Sequence, residues 1–201
     1  MRHATVLGAG ALIASAMPLA EQMIAANPAL AAVTPDDGTL QAFADTVIPG
    51  RKADHTDLGN EIHPQAIAGV DSEPGAVEAD TLALMKDPRI GFEDLAPAFL
   101  LDLEPRALSQ GGDFLSLSFD KRVAVLLSGL DYGNGSRTLW EAAAAVPFAA
   151  FCAAAVHQIG TSANASGYRV MGYPGAAPNG YAGFSYGKRL SKERTKRGVL
   201  P

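Results

Sequence analysis

Cysteine is nearly absent from this chain of 201 residues. Cys152 stands alone, so no intramolecular disulfide can form. Without a C-x-x-C-H run or a set of thiolates, haem attachment and iron–sulfur ligation are excluded as electron-transfer routes for this chain. Flanked by Phe151 and Ala153 in an apolar run, the thiol is expected to be packed and inert. Charge is also sparse, at 18% of residues against 48% hydrophobic, which fits a globular chain and excludes a disordered polyelectrolyte. Long apolar runs are missing after the N-terminus. A membrane span needs roughly 20 apolar residues, whereas the uncharged run Ala142 to Val156 is shorter and contains Pro147. Internal repeats and low-complexity tracts are absent.

Basic residues are few except at one end. Lys188, Arg189, Lys192, Arg194, Lys196 and Arg197 face only Glu193, so the last fourteen residues carry about +5. Set against the total of −5, with residues 1–31 neutral, this leaves about −10 on residues 32–187. An acidic body with a basic tail does not fit a nucleic-acid-binding domain, whose cations spread over a folded face. Residues 191–201 are read as a solvated basic tail or as a dock for an acidic partner.

The first 31 residues have the three parts of a secretory signal: Arg2 and His3, the apolar stretch Val6 to Ala14, and an A-x-A cleavage site at Ala29-Leu30-Ala31. The Gly- and Ala-rich apolar part resembles a twin-arginine leader, although only Arg2 is present. With a start upstream, Arg2 would be the second arginine of an Arg-Arg pair. Gly8-x-Gly10 imitates a dinucleotide fingerprint, but Ile13 stands at the third glycine position and no alternating strand and helix pattern follows. The chain is therefore expected to bind no FAD or NAD of its own.

The remainder, residues 32–190, reads as one mainly α domain: an irregular bundle of about five helices with long loops. Asp36-Asp37-Gly38-Thr39 caps a first helix with Leu40, Phe43, Ala44 and Val47 on one face, ending at Pro49-Gly50. Residues 50–75 form a long polar loop. Its His55 and His63, with Asp54, Asp57 and Glu61, lack the spacing of a zinc helix and read as solvated. Pro74-Gly75 opens a second helix closed by Asp87-Pro88. A third, Gly91 to Gln110, is expected to be interrupted at Pro97 and Pro105, with Glu93, Asp94, Asp102 and Glu104 solvated. Phe114 to Leu117 reads as extended. Phe119 to Leu130 forms a fourth helix, with Lys121 and Arg122 facing water. Ser136 to Gly160 is the central helix, buried nearly all round and kinked by Pro147. Residues 161–187, rich in Gly and aromatics and almost uncharged, must find cover on the chain's own helices or on another protein.

Four segments together resemble the gluconate 2-dehydrogenase subunit 3 family, and most of all its actinobacterial relatives of unknown function. They are Leu40 to Gly50, Leu139-Trp140, Met171-Gly172-Tyr173-Pro174-Gly175 and Phe184-Ser185-Tyr186-Gly187. The resemblance implies a small, exported, helical subunit without catalytic, cofactor-binding or metal-binding residues. It would stabilise and co-export a large GMC-type dehydrogenase carrying FAD that oxidises an alcohol, sugar or sterol. Trp140, Tyr168, Tyr173, Phe184 and Tyr186 are then the candidate contacts with that partner. Two other classes stay open: an independent enzyme using His157 or the His55/His63 loop, and an exported domain holding a small apolar ligand between the kinked helix and the aromatic segment.

Overall fold

Helical spacing of apolar residues organises the chain, and in a computed structural model it is realised as a bundle. The structure describes residues 2–29, 35–153 and 165–172. Helix α1 spans Arg2–Ala26, α2 Asp37–Val47, α3 Thr81–Met85, α4 Phe92–Ser109, α5 Phe119–Leu130, α6 Arg137–Ala153 and α7 Ser166–Val170. Among the described residues there is no strand, only one isolated bridge between His55 and Glu61. The expected class, an irregular helical bundle, is the observed one.

Local chemistry sets the starts and stops. Asp36 accepts a hydrogen bond from the Thr39 N–H at 2.8 Å, satisfying one of the orphan donors at the start of α2. The predicted second helix is reduced to α3, because Ala76 to Asp80 form turns pinned by their own hydrogen bonds. Helix α4 runs unbroken through Pro97 and Pro105, against the expected interruptions. Phe114–Ser116 is a 3₁₀ turn rather than an extended piece, closed by Asp113, whose carboxylate accepts from the Ser116 N–H.

Aromatic rings form the centre. Phe43 of α2 and Phe99 of α4 meet edge to face with centroids 4.9 Å apart, and Trp140 of α6 lies 5.2 Å from Phe99. Phe92 and Phe114 complete the cluster, and all five side chains are fully buried. The Trp140 indole N–H donates to Asp102 at 2.7 Å, and Asp102 in turn pairs with Arg106 at 3.0 Å. Asp102 is thus a buried tryptophan's acceptor, not simply part of a solvated face. Helix α5 reaches the indole through Gly129, where a Cβ would overlap the ring.

The loop over residues 48–80 is held by polar side chains that belong to the helices beneath it. Gln41 accepts from the His63 N–H and donates to the Glu61 carbonyl. Asp45 accepts from the N–H groups of Gly50 and Ala68. Arg122, expected in water, is buried and donates to the carbonyls of Gln65, Ala66, Phe114 and Leu115. A guanidinium offers five donors in a rigid fork, which suits four converging carbonyls better than any other side chain.

The N-terminal helix is the least expected component. Ala9–Ala26 is long and apolar enough to cross a membrane by length and composition, yet α1 lies against α6 and α4. Its Ala9, Ile13, Ala16 and Ala20 are buried in the main core, while Leu12, Ala14, Ser15 and Pro18 face out.

Candidate functional site

Helix α6 has two faces. Leu139, Trp140, Ala142, Ala143, Val146, Ala149 and Ala150 are buried, as helical spacing from Trp140 dictates. Glu141, the adjacent Ala144 and Ala145, Phe148 and Cys152 share the other side, one turn separating Glu141 from the alanines, the alanines from Phe148, and Phe148 from Cys152. With Ala9 and Leu12 of α1 and Leu130 of α5, they line an apolar cleft of about 520 Å³. The expectation of a helix buried nearly all round is therefore corrected. Phe148 is 54% exposed, and Cys152 is an exposed free thiol, not a packed one. The cause is tertiary: α1 covers one edge of α6, and no described element covers Phe148.

The cleft's chemistry is narrow. Among the described residues its only charged group is Glu141, which accepts from the Arg137 guanidinium at 2.7 Å one turn earlier. Arg137 also stacks over the Tyr132 ring at 3.7 Å, so the carboxylate and its partner guard the rim while the floor stays apolar. Such a surface can bind apolar matter, and among its described lining residues no nucleophile is paired with a base.

Other titratable groups serve the fold. Burial pushes the Asp45 carboxyl above its ordinary range, against the hydrogen bonds from Ala68 and Gly50. Asp80 is raised for the same reason, while it accepts from the Leu58 N–H at 2.6 Å and from the Asn60 amide at 3.1 Å. Asp80 adopts φ +60°, a left-handed conformation that an Asp tolerates because its short side chain can bond locally. Burial lowers the Arg122 pKa, opposed by the charges of Asp45 and Asp113. His63 accepts at Nδ1 from the Gln65 N–H, a local turn contact. Among the described residues no three His, Cys, Asp or Glu gather as a metal site would require.

The predicted contact residues separate. Trp140 is at the centre of the core with no exposed surface, so it cannot meet a partner while the chain is folded; its role is structural. Tyr168, on α7, is half-buried. That short helix is tied to the loop by Asp57, which accepts from both the N–H and the hydroxyl of Ser166 at 2.6 and 2.8 Å. Tyr173, Phe184 and Tyr186 lie outside the described residues, as do His157 and the basic tail. Sequence reasoning missed Phe148 and Leu12. The signal was available in α6, because Glu141 marks an outward face that Ala144, Ala145, Phe148 and Cys152 share.

A model for a family of unknown function, DUF5987, matches residues 34–198, most of the chain. This chain belongs to DUF5987. No curated protein and no solved structure matches it. The DUF5987 match begins three residues after the candidate cleavage site, so α1 lies outside the family region although it packs on α4 and α6, which lie within it.

Proposed function

We propose that this DUF5987 protein is a non-catalytic accessory subunit that stabilises a large FAD-dependent oxidoreductase of the GMC type and is exported with it. One observation carries the reading: the cleft on α6 is apolar and open among the described residues, with the Glu141 carboxylate already paired. Interfaces of permanent complexes are built from such surfaces. The apolar N-terminal helix is compatible with a signal sequence, and the four segments that resemble the gluconate 2-dehydrogenase subunit 3 family supply the kind of partner.

The test is affinity purification of the tagged chain from its native host, with an absorbance scan of the eluate. A yellow eluate containing a larger chain in fixed proportion supports the subunit reading. A colourless single species removes it. The 520 Å³ volume also has the size of a small-molecule site, so an apolar ligand is the second reading. Native mass spectrometry of that colourless species, showing one retained small molecule, would favour it.

A further inference from the structure

Among the described residues, the buried positions of α1 are Ala9, Ile13, Ala16 and Ala20, spaced by four, three and four residues, with relative exposures of 3% or less. Three of these four side chains are methyl groups, so the helix axis can come close to its neighbours. The receiving helix α6 is likewise rich in alanine, and α4 closes the other side through the segment that begins at Gly91, beside Ile13. The exposed side of α1 carries Leu12, Ala14, Ser15 and Pro18 and belongs to no core. This is a helix seated in a groove. The family region, residues 34–198, contains the groove but not its occupant.

We propose that α1 is a removable occupant of a helix-accepting groove between α4 and α6. A chain without α1 takes into that groove a partner's apolar helix with small side chains at the same four-three-four spacing. Removal of α1 would uncover apolar surface of α6, including Ala149, which lines the same cleft as Ala9 and Leu12 and which water solvates poorly. A helix of α1's pattern restores the same contacts with no rearrangement of the groove. Before its removal, α1 withholds the groove from premature pairing. The inference does not depend on the partner being a flavoprotein.

Two variants of the full chain test it. Leu12 is 42% exposed and lines the same cleft as Cys152, so Leu12→Cys leaves the fold intact and supplies a second thiol. A short bis-maleimide should join residues 12 and 152 within one chain, read by mass spectrometry of the digest. Absence of that cross-link would mean α1 is not seated, and the proposal fails. Ala16→Glu should unseat α1 by placing a carboxylate at a fully buried position. A fluorophore on Cys152 then reports titration with a synthetic peptide of residues 2–26. The expected result is one peptide bound per Ala16→Glu chain, with affinity about tenfold or more above that of the wild-type chain, whose groove is filled. The same peptide carrying its own Ala16→Glu change should not bind. Equal binding to both chains, or to neither, overturns the proposal. So does a dimer of the Ala16→Glu chain that excess peptide fails to dissociate, since the groove would then belong to a second copy.

Discussion

Gly129 and Arg122 decide more than their chemical types suggest. The absence of a Cβ at Gly129 lets α5 lie against the Trp140 indole. Gly129→Ala forces overpacking in the aromatic core and should cost about 3 kcal/mol of stability, measured as a drop in the urea midpoint with an unchanged slope. Arg122 is the cation that satisfies four backbone carbonyls from two separate segments. Arg122→Met keeps much of the length and loses every donor. Stability should fall by about 3 kcal/mol because buried acceptors lose their partners, and protection of the 65–68 amides should fall first in hydrogen exchange. A variant as stable as the wild type would show that water replaces the guanidinium.

At the scale of elements, the loop over residues 48–80 and the helix α2 beneath it form a unit joined by carboxylates. Asp45 and Asp80 both have folded-state pKa values raised above the ordinary 3.8, with burial the largest cause. Between 3.8 and those raised values the folded state holds more protons than the unfolded one. The contribution of this pair is therefore fully present below about 3.8 and is lost as pH rises through the folded values. Urea midpoints measured from pH 7 downward should show this unit's contribution increasing toward acid, opposite to the usual loss from depressed carboxylates. Asp80→Asn removes one of the two titrations and should flatten the dependence. An unchanged slope in that variant would mean Asp80 titrates alike in both states.

For the whole molecule, the question is whether α1 is part of the cooperative fold. The aromatic cluster of Phe43, Phe92, Phe99, Phe114 and Trp140 comes entirely from α2, α4, α6 and the 3₁₀ turn. A helix docked on that core can open by itself. In Ala16→Glu, exchange of the α1 amides should rise by about tenfold or more while protection in α2 and α4 changes little. Leu12→Glu, on the exposed side of the same helix, should leave both unchanged. Equal loss of protection throughout the Ala16→Glu chain would make α1 integral to the fold.

The sequence by itself determined what is local. The helical class, the Asp36 cap of α2, the apolar face of α2 that carries Phe43 and the i, i+4 pair of Arg137 and Glu141 all follow from spacings within about four residues along the chain. The candidate interface was less legible. Trp140 was an attractive contact as an isolated aromatic, but its burial depends on Gly129 and Asp102, which no spacing rule connects to it. Tertiary structure alone decided that Arg122 would be inside, since its acceptors Gln65 and Ala66 lie more than fifty residues away. It also decided that Cys152 would be outside, because which face of an alanine-rich helix is covered depends on which neighbours arrive. The seating of α1 is the same kind of fact. An apolar leader pattern fixes a helix and its hydrophobicity, whereas the groove that receives it is assembled only when α4 and α6 have packed.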